Sequence, residues 1–277
     1  MRAFMLSILA LAGCSDECFI DGLGCEDDIV PRVYTAVAAG ADHTCARADT
    51  ALQCWGDGPA PPRGGNVLRA AGEITCGLDQ PSGMLACAYP GSSIYYPSDF
   101  FVDVAVSETH GCGIRRLGDG THRLTCWDDP TPPLGTVSES VAVGNGHTCA
   151  LRGGAASCWG RNESGQASPP PQVLDKLAAS DGYTCALDQS AIVCWGLAPS
   201  PIPAGSFVEI AAGKSFACAL RTDQTIACWG DPLDGRTSPP SGAFTTLAVG
   251  GRHGCAIDVA GGLACWGADD VGQSSPN

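Results

Sequence analysis

His147-Thr148-Cys149-Ala150-Leu151-Arg152-Gly153-Gly154-Ala155-Ala156-Ser157-Cys158-Trp159-Gly160 decides the fold of this chain. Gly153-Gly154 lies midway between two cysteines, and a Gly-Gly pair supplies the positive φ that a two-residue hairpin turn demands. Folding there sets Arg152 against Ala155, Leu151 against Ala156, Ala150 against Ser157 and Cys149 against Cys158. Opposed residues alternate between hydrogen-bonded and non-hydrogen-bonded pairs. Counting from the turn puts the cysteines on a non-hydrogen-bonded pair, with Cα atoms about 4.5 Å apart. That is close enough for a disulfide. Trp159 then faces Thr148, a cross-strand pair that packs well.

The unit recurs along the chain. Cysteine pairs stand at Cys45 and Cys54, Cys76 and Cys87, Cys112 and Cys126, Cys149 and Cys158, Cys185 and Cys194, Cys218 and Cys228, and Cys255 and Cys265. Their first members are 31, 36, 37, 36, 33 and 37 residues apart, and a period of this size marks a repeat architecture. The pair Cys45 and Cys54 and the pair Cys185 and Cys194 share the nine-residue spacing, so Trp55 faces Thr44 and Trp195 faces Thr184. The wider pairs need longer turns, and Gly118-Asp119-Gly120 lies in the middle of the longest, between Cys112 and Cys126. Apolar runs such as Val37-Ala38-Ala39 and Val141-Ala142-Val143 precede the units; this short and broken by glycine, they read as strands. Cys87-Ala88-Tyr89 and Trp127-Asp128 depart from Cys-Trp-Gly and mark the second and third copies as the least regular. A Trp once per repeat reads as filler between layers. Each bridge closes a loop of roughly ten residues, worth about 2.5–3 kcal/mol on the chain-entropy model. Zinc binding is the rival use of these thiols. There is no Cys-x-x-Cys, and one close pair per repeat is not a four-ligand set.

The copy from Val141 to Gln166, ending Cys158-Trp159-Gly160-Arg161-Asn162-Glu163-Ser164-Gly165-Gln166, resembles the regulator-of-chromosome-condensation repeat in its cysteine-bearing exported form. The last copy matches with Cys265-Trp266-Gly267-Ala268-Asp269-Asp270-Val271-Gly272-Gln273. The resemblance covers residues 29–277 and implies an all-β, seven-bladed β-propeller of four-stranded blades around a channel, one disulfide hairpin per blade. Proline-marked segments such as Pro169-Pro170-Pro171-Gln172-Val173-Leu174 separate the copies, and none follows the seventh. The N-terminal Ile29-Val30-Pro31-Arg32-Val33-Tyr34 has the matching pattern, so it is expected to close the ring as a strand of the last blade.

Seventeen cysteines leave three outside the repeats. Residues 1–13 read as an export signal: one basic residue, an apolar stretch and a small-residue site. Leu11-Ala12-Gly13-Cys14 resembles the lipobox of bacterial lipoproteins, which implies lipid on Cys14, a membrane anchor and residence in the bacterial cell envelope, at the outer membrane or cell surface. Export to an oxidising compartment suits disulfides. Residues 14–28 form a tether in which Cys18 and Cys25 are expected to bridge, leaving 29–277 as the propeller. The net charge of −14 repels phosphate backbones and argues against nucleic acid.

Candidate chemical groups are few. His43, His110, His147 and His253 each stand two residues before a first cysteine, where other copies hold Ile74, Tyr183 and Phe216. A position that accepts all of these is a packing position. His122 with Arg115, Arg116 and Arg123 makes a basic cluster in the longest turn, either a solvated loop or a contact for an acidic partner. Asp231, Asp234, Asp269 and Asp270 sit in acidic turns without the spacing of a calcium loop. Asn162-Glu163-Ser164 fits a glycosylation sequon that has no use in a bacterial lipoprotein. There is no nucleophile elbow, zinc-protease motif or phosphate loop. No metal or cofactor is expected. The expectation is a monomeric, non-catalytic display module that binds a protein through one propeller face. The alternative is a hydrolase or lyase, which requires carboxylates and histidine to converge at the channel mouth. The resemblance includes a nuclear nucleotide-exchange factor, a role that export and an acidic surface argue against. Fold alone does not choose among these.

Overall fold

A computed structural model describes residues 32–276, except 50, 62–64, 81, 97–99, 129–131 and 134–137. The expectations for Cys14, Cys18, Cys25 and residues 29–31 fall outside the described residues. Seven antiparallel sheets follow one another along the chain. Each has an inner, a middle and an outer strand. In blade 1 these are Tyr34–Ala39, His43–Ala48 and Ala51–Gly56. In blade 2 they are Val67–Ala71, Ile74–Asp79 and Met84–Tyr89; in blade 3 Phe101–Val106, Gly111–Arg116 and His122–Trp127. Blade 4 has Ser140–Gly144, His147–Arg152 and Ala155–Gly160; blade 5 has Lys176–Ala179, Tyr183–Asp188 and Ala191–Gly196. Blade 6 has Phe207–Ala212, Phe216–Arg221 and Ile226–Gly230; blade 7 has Phe244–Val249, His253–Asp258 and Leu263–Gly267.

The register is the one the central stretch dictates. Cys149 opposes Cys158, and Trp159 opposes Thr148. Every blade carries its own disulfide between directly opposed cysteines. Cys45 is bonded to Cys54, Cys76 to Cys87, Cys112 to Cys126 and Cys149 to Cys158. Cys185 is bonded to Cys194, Cys218 to Cys228 and Cys255 to Cys265. The paired Cα atoms lie 4.0–4.1 Å apart, on the short side of the spacing of about 4.5 Å at a non-hydrogen-bonded site. The two members of a bridge are not equally covered. The middle-strand sulfurs of Cys45, Cys112, Cys185 and Cys218 are fully buried, whereas Cys54, Cys126, Cys194 and Cys228 on the outer strands are half-buried.

The sheets hold three or four strands, where four per blade were expected. Among the described residues only blade 2 has a fourth strand, Ser92–Tyr96; the other six have three. The reason is local. Where five other copies read Trp-Gly, blade 2 reads Ala88-Tyr89-Pro90-Gly91, and Tyr89 pairs with Ser92. Proline followed by a glycine at φ +72 makes a tight turn that sends the chain straight back. The other connections are rich in proline, which has no N–H to give a ladder.

Apolar side chains pack between successive blades. Leu78 and Leu85 of blade 2 meet Phe101 and Val104 of blade 3, and Leu187 of blade 5 meets Phe207 of blade 6. The core is therefore a set of inter-blade slabs around a channel. The inner strand of blade 1 packs on blade 2 and also on blade 7, so the ring is closed.

Residues 29–31 of the expected closing strand lie outside the described residues. Among the described residues, blade 7 is a three-stranded sheet that no N-terminal strand joins. Instead, Tyr34 donates its N–H to the Gly261 carbonyl in the hairpin turn of blade 7. Phe101 to Gly83, Leu174 to Gly154, Phe207 to Ser190 and Phe244 to Gln224 make the same bond between consecutive blades. One N–H at the strand entrance thus does at the seam what it does inside the chain.

Candidate binding faces and channel

The strand directions sort the surface into two faces. Inner strands end, middle strands begin and outer strands end at one rim of the channel, because His43 opposes Gly56 and Ala39 opposes Thr44. This is the mouth face. Hairpin turns and inner-strand entrances gather on the opposite, turn face.

At the mouth, residues of all seven blades, from Gly40 to Gly250, enclose about 160 Å3. The rim is tight. A Cβ on Gly250 would lie 2.1 Å from the Gly40 carbonyl oxygen, so at the rim the backbones of blade 7 and blade 1 are in direct contact. Gly251 N–H donates to the Gly40 carbonyl, and Ala41 N–H to that of Gly72.

The four aligned histidines lie behind this rim, fully buried or nearly so. Each reaches the threonine one position before the first cysteine of the next blade. His43 Nε2 is 2.5 Å from Thr75 Oγ1, His110 Nε2 2.7 Å from Thr148 Oγ1, and His147 Nε2 2.8 Å from Thr184 Oγ1. His253 Nε2 is 2.6 Å from Thr44 Oγ1 across the ring seam. The copies without histidine face no threonine. After Ile74, Tyr183 and Phe216, the next blades hold Gly111, Ala217 and Gly254. Tyr183 instead extends its hydroxyl to the carbonyls of Gly213 and Phe216, at 2.8 and 2.6 Å. The position is a packing position, as its composition indicates, and more specifically a polar clasp between blades.

The tryptophans also serve the inter-blade contact. Trp195 Nε1 donates to the Gln166 carbonyl of the preceding blade's loop, Trp55 to that of Gln273 and Trp266 to that of Arg236. Trp127 of blade 3 donates to the Tyr89 hydroxyl, so the residue that breaks the motif in blade 2 supplies the acceptor.

Carboxylates crowd the mouth face. Asp42, Glu73 and Glu108 line a groove of about 440 Å3 beside Tyr89. Asp181 and Lys214 stand at the channel rim. Arg252 gathers Asp42 and Asp270, at 3.2 and 2.7 Å, across the seam. That guanidinium holds the Asp270 carboxyl down to about 2. Asp234 pairs with Arg236 at 2.8 Å, and the Asp269 carboxylate accepts the Ser274 N–H and the Ser275 hydroxyl. The acidic turns are thus held by internal partners. Asn162 braces its own loop, with Oδ1 accepting the Ala167 N–H. Among the described residues no three His, Cys, Asp or Glu side chains group to hold a metal. Leu197, Leu233 and Val271 stand exposed on the mouth face of blades 5, 6 and 7.

A second set of charges, missed at the level of sequence, sits on the inner strands. Arg69 of blade 2 pairs with Asp103 of blade 3 at 3.3 Å. Burial pushes the Glu209 carboxyl up, against the charges of Lys176 and Arg69. Blades 2 and 6 are not neighbours, so Arg69 and Glu209 sense each other across the channel. A signal for them exists in the sequence. Asp103, Lys176 and Glu209 each stand four residues before the rim residue, where the other blades have Ala36, Val67, Ser140 and Thr246.

Comparison with known proteins agrees with this architecture. Residues 207–236, spanning blade 6, match the Regulator of chromosome condensation (RCC1) repeat. No curated protein matches the chain. Among solved structures, the ectodomain of the Physcomitrella patens receptor kinase CR4 is 22% identical, with a TM-score of 0.69 over 86% of this chain and 74% of that one. The CRINKLY WD40 ectodomain of the Arabidopsis thaliana receptor kinase ACR4 is 21% identical, with a TM-score of 0.68 over 85% and 98%. Prp20p of Saccharomyces cerevisiae is 15% identical, with a TM-score of 0.63 over 78% and 80%. The chain is similar to these propellers in fold and carries an RCC1 repeat in its sixth blade.

Proposed function

We propose that this chain is a non-catalytic protein-binding module, held to the bacterial envelope by lipid on Cys14, whose mouth face receives a partner with a basic surface. The carrying observation is the uneven charge of the two faces. Carboxylates outnumber cations on the mouth face, whereas the turn face carries the arginines of the long hairpin and comes close to neutral. Complementary potential of this kind steers encounter and selects partners. Exposed Leu197 and Leu233 amid the charge supply the apolar contact that anchors an interface. The similar propellers support the same direction: two are receptor ectodomains, and Prp20p is described by its binding properties to Gsp1p and histones. An enzyme would need histidine among the mouth carboxylates, and the four aligned histidines are engaged behind the rim by threonine.

The test is capture from the envelope fraction with the disulfide-bonded protein as bait. Leu197→Arg with Leu233→Arg is expected to abolish capture of the basic partner, and Val173→Arg on the turn face to leave it intact. Equal capture by all three proteins would remove the mouth face from consideration.

A further inference from the structure

The basic cluster of the longest hairpin is not absorbed by partner binding, because it lies on the other face. In blade 3 Arg115 opposes Arg123 and Arg116 opposes His122. Like charges set directly opposite each other destabilise a strand pair. Arg152 projects near the adjacent hairpin turn of blade 4 and is exposed, as are Arg116 and Arg123. Asp119 accepts the Thr121 N–H and hydroxyl and also feels the Arg123 charge, and Glu139 accepts the Gly153 N–H. Large apolar side chains are exposed around the same face. Phe100, Val173 and Val259 are 62%, 64% and 58% exposed, and each lies at a strand entrance or hairpin turn. These exposed apolar side chains share the turn face with the three arginines.

The chain itself says what lies opposite. The first described residue, Arg32, enters the propeller at the turn face, since Tyr34 bonds to the blade 7 hairpin turn. Cys14 is eighteen residues before it. Lipid on Cys14 would therefore tether the propeller through the turn-face side of its chain. The acidic mouth face would be repelled by anionic headgroups, and basic side chains near them are attracted.

We propose that the turn face docks on anionic phospholipid headgroups, with Arg116, Arg123 and Arg152 on the phosphates and Phe100, Val173 and Val259 seated among them. The mouth face then points away from the membrane, open to a partner. This orientation rests on the anchoring at Cys14 proposed above, and one experiment separates the two.

p-Benzoylphenylalanine is placed singly at Val173, Val259, Leu197 or Leu233 in the full chain. Envelope membranes are then irradiated, and adducts are identified by mass. The expected result is phospholipid adducts at Val173 and Val259, several-fold above those at Leu197 and Leu233. Arg116→Glu with Arg123→Glu should lower the Val173 adduct several-fold. Mobility on a non-reducing gel reports that each variant keeps its disulfide-bonded fold. A protein absent from the membrane fraction overturns the anchor and the orientation together. A protein in the membrane fraction overturns the orientation alone if lipid adducts form equally on both faces, or if protein adducts form at Val173 and Val259.

Discussion

Thr44 carries one hydroxyl hydrogen and stands between two partners, the Gln273 carbonyl at 2.9 Å and His253 Nε2 at 2.6 Å. A carbonyl only accepts, so the hydroxyl donates to Gln273 and His253 must donate through Nε2–H. The same count applies to His147, Thr184 and the Gln166 carbonyl. Nδ1 of each ring is then the bare nitrogen, buried in the slab between blades. Burial pulls both histidines down to about 4, against the opposing pull of nearby aspartates. His43 is lowered for the same first reason. A histidine whose folded value lies below its unfolded value of about 6.5 stabilises the fold fully above pH 6.5 and loses that contribution as the pH falls toward 4. The expected slope is at most about 1.4 kcal/mol per pH unit for each of the two. Urea midpoints measured from pH 7 to pH 4.5 check it. His147→Tyr with Thr184→Ala copies the Tyr183 and Ala217 pair of blades 5 and 6, and should flatten part of that slope. Asp128 is a second residue to test. It holds φ +70 where five other copies have glycine. Asp128→Gly should raise stability by up to about 1 kcal/mol, read from the thermal midpoint.

At the scale of the strand pair, each hairpin is closed by its own disulfide, and the loop it closes is short. Replacing Cys149 and Cys158 together with alanine is expected to cost about 2–4 kcal/mol while blade 4 keeps its register, because the turn and ladder remain. Denaturant midpoints with and without the pair measure the cost. The hairpins were legible in the sequence for the same reason that the cost is bounded. Cys149 and Cys158 are nine residues apart, and turn chemistry alone sets the register between them. The strand count was less legible. Pro90-Gly91 in blade 2 is a turn signal of ordinary strength, and its meaning depends on whether the returning segment finds an edge to pair with. Proline in the other connections removes the donors a fourth strand would use.

The whole molecule is a ring whose seam is made of side-chain and backbone bonds. Gln273 lies at the end of the last copy, and its carbonyl accepts from Thr44 and from Trp55 of blade 1. Ending the chain before Gln273 leaves two buried donors without that acceptor, at a cost of about 2–4 kcal/mol in a denaturant melt. At this scale the faces acquire their character. Partner capture at the mouth face should weaken steeply with added salt, as charge-steered association does. Lipid contact at the turn face is tested separately by the cross-linking described above.

The number of blades, the pairing of the repeat cysteines and the register of the three hairpins with nine-residue spacing were legible in the chain, because all three rest on contacts within a few residues of a turn. The sequence also held the matching of His43, His110, His147 and His253 to a threonine in the next copy, a pattern visible once copies are compared in order around the ring. The closed ring alone brings Thr44 to His253 and the Arg69 charge to Glu209, and sets which charges lie on which face. Those relations join residues far apart in the chain, and they exist only when the seventh blade comes round to meet the first.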